Sequence, residues 1–203
     1  MIADDVSRSY MVLLFGGRRL PRPLAGLPTR AVDGPEEIDD ASLRCERLIV
    51  VGSDADLASV LTRLLRADRL DVEVGHAAGW WTARRARRGT PRRVPLIRDE
   101  AGHVIVGSAE WRGEDGAPLH GEAVVDDTQL FDGAVAGVRI EPTHAMPGLR
   151  ACVIRPGRRG WAVGRAAQLG TMGATVIRDG TESSRIVRRS TFYRHTQGWL
   201  LVR

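Results

Sequence analysis

The stretch Leu48-Ile49-Val50-Val51-Gly52-Ser53-Asp54-Ala55-Asp56-Leu57, running on through Ala58 to Leu65, decides how the whole chain is read. Its first residues form an apolar run without alternation, the pattern of a parallel strand covered on both faces. Its later residues change period. Leu57, Val60, Leu61, Leu64 and Leu65 recur at helical spacing and line one face of an amphipathic helix. Between the two patterns, Gly52 to Asp56 must turn strand into helix. Ser53 is a good N-cap, Asp56 three residues later completes a capping box, and Asp54 places a negative charge in the first turn. Asp71 to Val74 reads as the next strand, so residues 48–74 are predicted to be strand, helix and strand with a right-handed parallel crossover.

Upstream, Met11 to Phe15 is a second unalternating apolar run, ended by Gly16-Gly17, and reads as a buried first strand. The segment PRPLAGLPTRAVDGPEE that follows is rich in proline and glycine and is expected to be loop. Past residue 94 the character changes. VPLIRD, HVIVGSAEW, GEAVVDD, GAVAGVRIEP and ATVIRDG are short apolar or alternating runs, with Gly, Pro and Asp between them at roughly ten-residue spacing, the signature of antiparallel β structure. Tyr193 to Val202 is expected to close as a hairpin around Thr196-Gln197-Gly198. The predicted organisation is an α/β N-terminal domain with a parallel sheet (residues 1–93) and a β-sandwich-like antiparallel C-terminal domain (residues 94–203).

Composition narrows the chemistry. At 203 residues and 43% apolar content the chain can bury two small cores, and no segment reaches the length of a membrane span. The opening MIADDVSRSY lacks the basic and apolar regions of a secretory signal, so a cytoplasmic protein is expected. All 30 residues counted as lysine or arginine are arginine, and asparagine is missing too. A very G/C-rich genome, as in a high-GC bacterium, explains both absences, and it tempers the net charge of +5 and the pI near 10.4. Without lysine there can be no Walker lysine, Schiff-base lysine or kinase-type strand lysine. Cys45 and Cys152 are expected to be reduced thiols. The histidines are scattered, and Asp126, Asp127 and Asp132 fit strand-end and turn chemistry better than a metal site, so no metal ligand is assigned.

The densest basic patch is Trp80-Trp81-Thr82-Ala83-Arg84-Arg85-Ala86-Arg87-Arg88. On a helix, Arg84, Arg85, Arg87 and Arg88 could offer guanidinium forks to an anion or a lipid headgroup, with a solvated face as the plain alternative. An anionic lipid or membrane surface, with peripheral association, and a homodimer are the partners this leaves open. No RRM, KH or helix-turn-helix pattern points to a specific nucleic acid. VVGSDADLASVLTRLL also has the outline of a response-regulator start, with Asp99 as the phospho-acceptor, but the acidic pair and late lysine of a receiver are missing.

Taken in order, MVLLFGG, RLIVVGSDADLASVLTRLL, RRGTPRRVPLIRDEAGHVIVGSAEW, GEAVVDDTQLFDGAVAGVRIEP and ATVIRDG resemble the diacylglycerol kinase catalytic-domain family, which is related in fold to the NAD kinases. The resemblance implies a nucleotide-binding α/β domain with a β-sandwich, and phosphoryl transfer from ATP, with Mg2+, to a lipid hydroxyl. It also places Gly52, Ser53, Asp54, Ala55 and Asp56 where the family carries its phosphate-holding Gly-Gly-Asp-Gly-Thr turn. Gly52 and Asp54 match; Asp54 is then the residue expected to carry chemistry, with no catalytic base assigned. Ser53, Ala55 and Asp56 depart from the motif. Ala55 adds a methyl where the backbone should approach phosphate, and Asp56 puts a carboxylate where a helix N-terminus should attract an anion. The family's second signature has no counterpart in GHAAGWWTARRARRG after Val74. The alternative implied by these departures is a catalytically inactive kinase-fold protein acting as a ligand- or partner-binding module.

Overall fold

The computed structural model describes residues 9–157 and 160–203. The chain forms two compact units, one running to Val94 and taking in Gly198–Arg203, the other spanning Pro95–Gln197.

Among the described residues the first unit is built on a six-stranded sheet. Its strands are β1 (Tyr10–Phe15), β2 (Thr29–Val32), β3 (Arg47–Val51), β4 (Glu73–His76) and β5 (Pro91–Val94), with the C-terminal strand Trp199–Val202. The order is β2, β1, β3, β4, the C-terminal strand and β5; all pairings are parallel except that of β5. Among the described residues three helices accompany it: α1 (Pro35–Arg44), α2 (Asp54–Arg66) and α3 (Trp80–Arg88). β3 is buried along its whole length, and β3 and β4 run parallel with Leu48 opposite Val74. Leu57, Val60, Leu61 and Leu64 are each at most 2% exposed, so the predicted apolar stripe of α2 faces the core.

Three local expectations are corrected. The proline-rich segment is not simply loop: it contains a short 3-10 turn (Arg22–Leu24), β2 and the start of α1. Pro35 sits in the first turn of α1, where a missing N–H costs nothing, and the Glu37 carboxylate accepts from the Gly34 N–H at 3.0 Å to cap the helix. The strand placed at 71–74 lies at 73–76, paired with Arg47–Val50, and runs through Gly75, where a Cβ would meet the Ala86 Cβ at 2.6 Å and push α3 off the sheet. The hairpin expected over 193–202 does not form. Trp199, Leu201 and Val202 are buried, and a strand buried on both faces finds its place inside the parallel sheet, between β4 and β5. The terminal strand thus belongs to the first unit, which differs from a division at residues 93 and 94.

In the second unit every strand pair among the described residues is antiparallel. Its longest strand, Ala166–Arg178, joins two sheets. Its first part pairs with Leu119–Val125 and Val187–Arg194, and from Thr175 it pairs with Ala109–Arg112. The register breaks between Gly170 and Ala174, where the strand passes from one sheet to the other. The core packs Trp111 against Phe192 at 5.9 Å between ring centres, among Ile140, Leu149, Val176 and Leu169. The Trp111 indole N–H donates to Ser190 Oγ at 3.0 Å, so the one polar atom of that ring is satisfied. Asp99 is fully buried, held by the Ala101 and His103 amides and the Arg178 guanidinium, which leaves no room for a phospho-acceptor role. The Asp126 carboxylate accepts from the Arg165 and Ala166 amides and locks a turn. Cys45 and Cys152 are buried and form no disulfide.

Candidate functional site

β1 is flanked by β2 on one side and β3 on the other, so the crossovers leave in opposite directions at the carboxyl ends of β1 and β3. In an open α/β sheet that switch point is where a crevice forms and where ligands bind. Two turns meet there. After β1 come Gly16 and Gly17, both in the left-handed region at φ 59° and 65°, a conformation that favours glycine. After β3 comes the Gly52–Asp56 turn.

That turn is closed by its own side chains. The Asp56 carboxylate folds back over the strand end, where Oδ2 accepts from the Ser53 N–H at 2.7 Å and from the Ser53 hydroxyl at 2.8 Å. The Ser53 oxygen in turn accepts from the Asp56 N–H at 3.2 Å. The capping box is complete, and it consumes donors that an anion at the helix N-terminus would otherwise find. The same carboxylate explains Gly52: a Cβ there would stand 2.7 Å from both Cβ and Oδ2 of Asp56. The missing side chain of glycine leaves room here for the carboxylate.

Asp54 points elsewhere. Its side chain is half exposed, and its Oδ1 lies 3.8 Å from Nδ1 of His76, at the end of β4. His76 Nε2 is 3.0 Å from the Gly52 carbonyl oxygen, a contact that puts a proton on Nε2. His76 therefore ties β4 to the turn and faces Asp54 with its other nitrogen. Among the described residues, no three or more His, Cys, Asp or Glu side chains converge to hold a metal ion.

Beside the closed turn the surface opens into a cleft of about 320 Å3. Val51, Ala77 and Gly79 line it, and Arg18, Arg19 and Arg22 border it. The first turn of α3 carries no acidic residue, and Thr82 caps it by accepting from the Gly79 N–H at 2.8 Å. Arginine guanidiniums on one side and a helix start without acidic side chains on the other favour an anion in the cleft.

The arginine patch divides. Ala83 and Ala86 are buried, so the opposite face of α3 carries Trp81, Arg84, Arg85 and Arg88 to solvent. Arg87 does not join them. Its guanidinium donates to the carbonyls of Pro23 at 2.7 Å and Ala25 at 3.3 Å, clamping α3 to the 3-10 turn. Its own carbonyl accepts from Arg47, a buried side chain paired with Glu73. Sequence reading found the turn and the patch but missed His76 and the Arg18, Arg19 and Arg22 border. The signal for the border was Gly-Gly followed by Arg-Arg at a strand end; His76 had none, because its role depends on a neighbouring strand.

No protein-family model and no curated protein matches the sequence. Solved structures do match in fold. An NAD kinase from Archaeoglobus fulgidus, in complex with ATP, aligns with a TM-score of 0.64 at 12% identity, covering 96% of this chain and 93% of that one. A diacylglycerol kinase from Bacillus anthracis str. Sterne aligns with a TM-score of 0.70 at 10% identity over 97% of each chain. The chain therefore has the two-part fold of these kinases, a mostly parallel sheet and an antiparallel β unit. At such identities the likeness speaks for fold alone.

Proposed function

We infer that this protein is a kinase-fold module without phosphotransferase activity, which takes an anionic ligand in the arginine-bordered cleft. One observation carries the reading: the Asp56 carboxylate occupies the Ser53 donors at the switch-point turn. A nucleotide phosphate arriving there would meet a fixed negative charge in place of free amides. The residues present do not fit ATP at this turn. Arg18, Arg19 and Arg22 supply the charge for a ligand in the neighbouring cleft.

A second reading, phosphoryl transfer from ATP to a lipid hydroxyl, is favoured by Asp54, which keeps a half-exposed carboxylate next to His76 at the carboxyl edge. One experiment separates the two. Calorimetric titration with ATP–Mg2+ is expected to show no binding to the wild type at micromolar concentrations, while pyrophosphate should still raise the melting temperature. ADP release in the presence of diacylglycerol vesicles, lost in Asp54→Asn, would replace the first reading with the second.

A further inference from the structure

The outward face of α3 has a composition unusual for a solvated helix. Trp81 is 72% exposed and Trp80 48%, and their rings meet edge to face at 4.5 Å. Arg84, Arg85 and Arg88 surround them on the exposed side, with no acidic residue in the helix. The 3-10 turn adds to this surface. Arg22 shares a shallow depression of about 300 Å3 with Trp80, Arg84 and Arg88, and the Arg87 clamp fixes the two segments together.

We propose that this face docks on anionic lipid bilayers, with Trp80 and Trp81 at headgroup depth and Arg84, Arg85, Arg88 and Arg22 against lipid phosphates. Charge complementarity and the indole pair together select the occupant. Indoles settle at the boundary between headgroup and acyl chain, and guanidiniums reach phosphate from long apolar stems. A bilayer accepts a convex helix face, whereas a nucleic-acid strand needs a groove to follow. The two rings stand at 88° to each other, so they offer no common platform for stacked bases. The buried alanine face stays on the sheet, so docking needs no unfolding of α3. Arg22 and Trp80 border both this face and the neighbouring cleft, whereas Trp81, Arg84, Arg85 and Arg88 lie on this face alone and carry the test.

The test is co-sedimentation of the full chain with vesicles of equimolar phosphatidylcholine and phosphatidylglycerol, beside vesicles of phosphatidylcholine alone. Binding is expected only to the anionic vesicles and should weaken steeply with added salt. Arg84→Gln with Arg88→Gln should lower partitioning by about 25-fold, roughly fivefold per charge removed. Trp81→Ala should weaken binding and reduce quenching of tryptophan fluorescence by brominated lipid, while an unchanged melting temperature shows that α3 remains docked. Equal recovery on neutral vesicles, or none on either, overturns the proposal. So does a dimer that dissolves in Trp81→Ala, or binding of a single-stranded oligonucleotide tighter than that of the anionic vesicles.

Discussion

Introducing glycine and threonine at the switch-point turn, through Ala55→Gly and Asp56→Thr together, should open an anion site that the wild type keeps shut. The magnitude follows from the geometry. A phosphate oxygen bonded to the Ser53 N–H would have to take the volume of Asp56 Oδ2, which stands 2.7 Å from that nitrogen. Phosphate and carboxylate charges held about 5 Å apart at an effective dielectric near 20 repel by about 3 kcal/mol. Asp56 is partly exposed, and screening reduces this towards about 1 kcal/mol. Removing the charge and freeing two donors should thus strengthen ATP–Mg2+ binding by about 10- to 100-fold. The change also costs stability. The cap loses its reciprocal partner, and a glycine enters the first turn of α2, together about 1–2 kcal/mol, or a fall in melting temperature of about 3–8 °C. Calorimetric titration and thermal denaturation of the two proteins measure both effects. Tight metal-dependent binding by the wild type, abolished by Asp56→Thr, would refute the reasoning and make Asp56 a ligand rather than a plug.

Other sites give independent expectations. Gly75→Ala should destabilise the first unit by about 1–3 kcal/mol, because the new methyl would lie 2.6 Å from the Ala86 Cβ; urea denaturation followed by circular dichroism measures it. Ser190→Ala leaves the buried Trp111 N–H without its acceptor and should cost about 1–3 kcal/mol, with a change in tryptophan emission on the same titration. Arg178→Leu strips the fully buried Asp99 of its cation and should cost about 3 kcal/mol or more in thermal unfolding. Acid should weaken the second unit through Glu141. Burial opposes its ionisation, but Arg139 and Arg150 outweigh burial and hold the carboxyl below its ordinary value. Its stabilising contribution is therefore present above the unfolded-state value and lost as pH falls through the lower folded one, so Glu141→Gln should flatten the acid limb of a stability–pH curve.

Where a signal is local, the sequence carried it. The apolar run of β3, the period change into α2 and the Ser53–Asp56 spacing each follow from neighbours within a few residues, and each is found as expected. β2 was hidden because its strand character comes from pairing with β1, while proline and glycine around it suggest only turns. α1 was hidden by Pro35, which starts the helix it seemed to forbid. Gly75 masked the end of β4 because its reason, the approach of Ala86, lies on another element. The candidate site shows the same limit. The Gly52–Asp56 turn could be read as a cap, but the cleft border pairs residues 18–22 with residues 77–80, a proximity that only the fold creates.

The placement of Trp199–Val202 makes the first unit discontinuous, which has a consequence for biosynthesis. β5 has the C-terminal strand as its sole neighbour in the sheet among the described residues, and β4 needs the same strand on its open side. During synthesis both edges wait, unpaired, until the entire second unit has emerged and Trp199–Val202 can pair with them. The two points where the chain leaves and re-enters that sheet are adjacent, since Val94 stands opposite Trp199 in an antiparallel pair. The β unit is thus an insertion with neighbouring anchor points. A two-residue hairpin turn is long enough to join Val94 directly to Trp199.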